Sequence, residues 1–282
     1  MNQDMIKYNI FFDESEVKSS RVKMNISLMG CLRMPESLYK TPSIQSLTNQ
    51  LRDRSIKLHF TDYNKRQFTM YSKVLKEFFG ENGENVKYLK FNLIAYSKDE
   101  YINGHTAFDK VSMKDMEYAK IPERVIYGSI RNISKYKPTE ARLFIESSTE
   151  YTRIGLHDML KKQLNVQSLY RNDNFVIKTS LLYPKGKEIG IEITDMILGI
   201  ISIVIRNGFA VDSTGNVSSK VLFSKKDFIY KHRLLIEPIL ENVYYFEMNG
   251  LDRLTRRDLI PFWHEFIIRF EEELILKRKS RG

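Results

Sequence analysis

Lys7-Tyr8-Asn9-Ile10-Phe11-Phe12-Asp13-Glu14-Ser15 is the stretch that decides the fold. Aromatic and branched side chains run unbroken to Phe12, as in a core strand, and the run stops at an acid. A core strand buries what it carries, so an acid at its end must be paired, hydrated or bound to a cation. A turn-opening Asp13 is the plain alternative. Glu14 to Ser20 is polar and Arg21 to Leu32 is again rich in branched residues, which predicts a β-hairpin.

Two later stretches repeat the pattern. Phe144-Ile145-Glu146 ends a short apolar run in a carboxylate, followed by Ser147, Ser148 and Thr149, any of which can cap a following helix. Gly190-Ile191-Glu192-Ile193-Thr194-Asp195-Met196-Ile197-Leu198-Gly199 places Glu192 and Asp195 three apart on one face of an apolar helix. Burying that pair is expensive unless something cationic faces it; an exposed first turn favoured by the helix dipole is the other reading.

Between these stretches the spacing predicts helices near Thr41–Leu51, Gln67–Phe79, Arg153–Leu164 and Ile189–Ile205. A further helix over Met113–Ile133 should be kinked or divided by Pro122. Tyr88–Tyr96, Val166–Tyr170 and Phe175–Tyr183 read as extended. Asp212 to Ser219 is the most linker-like stretch. It divides the chain into a domain over residues 1–211, a linker over 212–219 and a mostly helical region over 220–282.

Composition bounds the rest. The 282 residues are 42% hydrophobic and 28% charged, with 13 Gly and 7 Pro, which excludes collagen-like, low-complexity and largely disordered chains. The net charge of +10 favours a polyanionic partner. One cysteine, Cys31, cannot form an internal disulfide, and the start of the chain lacks a secretory pattern, so a cytoplasmic location is expected. Met196–Ile205 is too short for a bilayer span, so no membrane association is expected. No Gly-x-Ser-x-Gly elbow occurs, and Lys185-Gly186-Lys187 lacks the upstream glycine of a P-loop.

Taken together, Ile10 to Ser15, Leu58-His59-Phe60-Thr61-Asp62, Phe144 to Glu146 and Gly190 to Gly199 resemble the RNase H-like superfamily. The resemblance is nearer still to the bacterial family catalogued as domain of unknown function 3800. It covers roughly residues 6 to 208, and its order and spacing carry more than any single motif. It implies an α/β fold, an RNase H-like mixed sheet flanked by helices, with residues 220–282 as a helical C-terminal extension. By the same resemblance Asp13, Glu146 and Asp195 hold divalent metal, Mg²⁺ or Mn²⁺, joined in catalysis by His59, with Glu14, Asp62 and Glu192 as further ligands. Two positions depart from the family pattern: Lys57 stands where an acid is usual, and Glu146 where aspartate is usual.

The expected function is therefore a metal-dependent nuclease, a hydrolase cleaving phosphodiester bonds of DNA or RNA. The alternative is a non-catalytic nucleic-acid- or protein-binding module on the same fold. Lys65, Arg66, Lys161 and Lys162 lie in polar segments close in sequence to the acids and are the expected phosphate contacts. The aromatic last helix makes the C-terminal region the expected route to any homo-oligomer.

Overall fold

The structure, a computed structural model, describes residues 5–17, 26–97, 109–131, 133, 137–207, 219–249 and 253–279. The predicted hairpin is formed by β1 (Ile6–Val17) and β2 (Ile26–Pro35), which pair antiparallel. β1 runs past the expected break at Glu14, because Glu14, Ser15, Glu16 and Val17 all find partners on β2. β3 (Lys90–Ser97) pairs antiparallel with β2; β4 (Thr139–Glu146) pairs parallel with β1, and β5 (Phe175–Tyr183) parallel with β4. These strands belong to one seven-stranded mixed sheet of order β5-β4-β1-β2-β3-β6-β7.

β1 lies inside the sheet and both its faces are covered, which is why its sequence shows no polar alternation. Phe11 belongs to one core layer and Ile10 and Phe12 to the other. The Phe11 layer is closed by α2 (Pro42–Arg52), α3 (Phe68–Phe79) and the long apolar α7 (Ile189–Asn207). The Phe12 layer is closed by α4 (Lys110–Ile130) and α6 (Leu156–Tyr170). The short helices α1 (Glu36–Tyr39) and α5 (Thr149–Arg153) complete the connections.

Pro122 does not divide the helix expected there: α4 runs through it as one element. One expectation is corrected. Val166–Tyr170 is helical: the apolar stripe of Leu156, Leu160 and Leu164 continues to Ser168, whose hydroxyl donates to the Phe175 carbonyl at 2.7 Å. Asn165 also reaches the backbone of Ile177 on β5, so that turn of helix is tied to the sheet.

The residues after 219 continue the same sheet rather than standing apart from it. α8 (Lys220–Lys231), α9 (Arg233–Glu241) and α10 (Ile260–Lys279) add Phe228, Ile236, Trp263 and Phe266 to the Phe11 layer. β6 (Val243–Asn249) pairs parallel with β3, and β7 (Arg253–Arg257), not foreseen from the sequence, pairs with β6. Of the expected linker only Ser219 lies within the described residues, where its hydroxyl caps α8.

Candidate metal centre

Strand register brings the first two acids together. β1 and β4 are parallel with Phe12 opposite Ile145, so the next step sets Asp13 level with Glu146 on a neighbouring strand. Side chains alternate along a strand, so both acids point to the Phe11 and Phe144 side, toward α7. The caps predicted after Glu146 leave it unengaged: Ser148, not Glu146, accepts the Tyr151 N–H at 3.1 Å.

α7 supplies the other side, and two glycines set how close it comes. A methyl group on Gly190 would overlap the Phe11 ring, so the first turn sits directly on β1. A methyl on Gly199 would overlap Phe60, so the loop before α3 lies flat against the helix. That second approach places the Phe60 N–H on Asp195 Oδ2 at 2.8 Å and His59 Nδ1 at 3.1 Å from the same oxygen. The His59 N–H is held by the buried Tyr71 hydroxyl at 2.8 Å.

Glu192, one helical turn earlier, is buried. Its Oε1 accepts the Gly186 N–H at 2.8 Å, while its Oε2 has no hydrogen-bond partner among the described residues. His59, Glu192 and Asp195 offer ligand atoms that all lie within 4.8 Å of one another. Burial, then the charges of Glu146 and Asp195, hold the Asp13 carboxyl well above the usual carboxylate range. Burial, then Asp195 and Glu146, push Glu192 up to about 7 against the pull of the Gly186 N–H. An orphaned buried carboxylate oxygen beside other acids is the arrangement that a divalent cation relieves, and carboxylate oxygens suit hard cations.

The lysines nearest these acids were not foreseen. Lys185 Nζ lies 2.8 Å from His59 Nε2. An ammonium only donates, so Nε2 accepts and the ring proton sits on Nδ1, facing Asp195. Asp195 raises the His59 pKa while Lys185 opposes it. From α8, Lys225 Nζ donates to the Thr61 carbonyl at 2.8 Å, lies 5.4 Å from the Phe60 ring centroid and feels the charge of Asp195. Lys185 belongs to the turn noticed in the sequence only for failing as a P-loop. Lys225 is 30 positions beyond Asp195, and no local signal ties the two.

Other expected site residues lie elsewhere. Glu14 points to the opposite face of the sheet from Asp13, where its Oε2 accepts the Tyr151 hydroxyl at 3.0 Å. Asp62 is exposed and faces Lys57 Nζ at 3.1 Å, and that lysine holds its pKa below the usual value. Lys65 and Arg66 are exposed on the short turn after the His59 loop, built by an Asn64–Gln67 capping box. Lys161 and Lys162 are exposed on α6, which packs on the face away from Asp13.

Comparison of the chain with protein-family models, with curated proteins and with solved structures finds no match. Among the described residues, no helix is long and apolar enough to cross a membrane.

Proposed function

We propose that this protein is a metal-dependent nuclease that cleaves phosphodiester bonds of DNA or RNA. The observation that carries this reading is the convergence of Asp13, Glu146, Glu192, Asp195 and His59, from two neighbouring strands, a helix and a loop, with one buried carboxylate oxygen left without a partner among the described residues. The mixed sheet flanked by helices, with acids on the first strand, a later strand and a core helix, agrees with what an RNase H-like resemblance implies.

Mg²⁺ or Mn²⁺ would be held by Asp13, Glu146 and Asp195, with Glu192 as a further donor, while His59 serves by holding Asp195. Such an ion, when bound, acidifies a water and neutralises charge on a phosphodiester. The chain itself does the positioning. The Phe60 N–H and His59 fix Asp195 Oδ2 from one side, so that carboxylate cannot swing away. Lys185 and Lys225 offer positive charge beside the acids and are placed to hold the phosphates that flank a cut bond. The +10 net charge agrees with a polyanionic substrate.

The test is incubation of purified protein with labelled DNA and RNA in Mg²⁺, in Mn²⁺ or in EDTA. Cleavage with an ion and none in EDTA supports the proposal. Tight binding without cleavage under every condition replaces it with the non-catalytic nucleic-acid-binding module.

A further inference from the structure

The far end of the sheet carries the opposite charge. Arg33 on β2 and Lys90 on β3 stand directly opposite each other in the register, and both are buried. Like charges facing across neighbouring strands are destabilising, the more so away from water. A third cation joins them. Arg256 on β7 and Lys90 both lie against the Tyr244 ring, at 5.0 and 4.4 Å from its centroid.

Part of this has a structural purpose. Arg33 Nη1 donates to the Ser129 carbonyl at 2.6 Å and Lys90 Nζ to the Gly128 carbonyl at 2.9 Å, both in the last turn of α4. Those carbonyls lack partners within the helix, and cations are favoured there. The magnitudes do not balance, however. A helix C-terminus presents about half a negative charge, against two full buried cations and the exposed Arg256 at the rim. Among the described residues, the other influences on Arg33 are the tyrosines Tyr8 and Tyr244 and the thiol of Cys31, none of them a carboxylate. Arg33 Nε has no acceptor among the described residues. Burial and the surrounding guanidinium groups bring the Lys90 ammonium down to about 8.

We infer that Arg33, Lys90 and Arg256 form an anion site that takes a phosphate group. A surplus above one positive charge calls for more than a carboxylate supplies, and guanidinium forks match the oxygens of phosphate. The site is separate from the carboxylate centre. Arg33 lies opposite Ile10 and Asp13 opposite Gly30, three positions along the strand, and Arg33 shares the α4 face while Asp13 faces α7. The inference does not rest on nuclease activity.

The experiment is calorimetric titration of the metal-free protein with inorganic phosphate and, separately, with a short single-stranded oligonucleotide. Lys90→Met and Arg256→Ala are compared with wild type. Arg256 is exposed, so that variant keeps the test open if Lys90→Met fails to fold. We expect phosphate to bind, to raise the melting temperature, and to lose about tenfold in affinity in each variant, as for one charged hydrogen bond removed. Loss seen with the oligonucleotide and not with free phosphate assigns the site to backbone phosphates and still supports it. Lys225→Ala reports on the carboxylate centre. Binding of both probes that falls with Lys225→Ala and is untouched by Lys90→Met and Arg256→Ala overturns the inference, as does a wild type that binds neither probe.

Discussion

Asp13 and Glu146 emerge side by side from parallel neighbouring strands, one register step beyond the Phe12–Ile145 pair. Neighbouring strands are about 4.8 Å apart, so two carboxylates set level on one face repel unless one keeps its proton or a cation sits between them. Burial first, and that repulsion after it, raise the Asp13 pKa.

The metal-free protein should therefore lose stability as pH rises. Glu192 has a folded pKa of about 7 against an ordinary 4.5, so folding favours its protonated form. Its contribution is complete below about pH 4.5 and is lost by about pH 7, a change on the order of 3 kcal/mol. Asp13, shifted the same way, adds to the trend. Urea melts at pH 5 and pH 8 check this, and Mn²⁺ should restore more stability at pH 8, where the acids are ionised. Equal melts at both values without metal would contradict it.

Asp195→Asn should abolish metal-dependent cleavage while leaving the fold intact and the metal-free protein slightly more stable. The substitution removes one negative charge from the cluster and with it a hard anionic ligand. The Phe60 N–H keeps an acceptor if the amide oxygen takes the place of Oδ2. Cleavage assays and thermal melts measured on the same preparation decide the matter; a wild-type rate would make Asp195 a bystander.

Gly199→Ala tests whether the close approach of α7 to Phe60 sets the site. The added methyl meets the Phe60 ring and must displace the loop that carries His59. We expect a cost of about 1–3 kcal/mol, as for overpacking elsewhere, and weaker Mn²⁺ binding as His59 and the Phe60 N–H leave Asp195. Calorimetry with Mn²⁺ reads the second effect directly; unchanged affinity in a folded variant would show that the loop position is immaterial.

Charge reversal should separate the lysines by place in the fold. Lys185→Glu and Lys225→Glu should weaken nucleic-acid binding and flatten its salt dependence, with a smaller effect at Lys65 and Arg66. Reversal at Lys161 or Lys162, on the far face, should leave binding nearly unchanged. Binding measured from roughly 50 to 200 mM salt resolves these cases, because each lost phosphate contact lowers the slope by about one. Equal losses at all six positions would point to a diffuse field instead of a seat at the carboxylates.

What was legible in the sequence was local. Asp13, Glu146 and Asp195 could be found because an acid that ends a core run or interrupts an apolar helix is conspicuous. Glu14 shows the limit of reading by adjacency: the period of two along a strand turns it away from Asp13, where Tyr151 takes it up. Lys161 and Lys162 were chosen for closeness along the chain to Glu146, yet a helix that crosses to the other face carries them off. Lys185 and Lys225 were missed for the converse reason, since their neighbours are distant in sequence. The place of β6 beside β3 was not readable, because pairing between distant segments leaves no periodic mark.

That last pairing has a consequence for how the molecule is made. β3 ends at Ser97 and its parallel partner begins at Val243, so one edge of the growing sheet waits for just over half the chain to leave the ribosome. At about 5–20 residues per second that wait is on the order of 10–30 s. During it the apolar strand from Lys90 to Ser97 offers unmet N–H and carbonyl groups to any other extended chain. Synthesis speed and chaperone supply, more than final stability, should then govern the yield of correctly assembled protein.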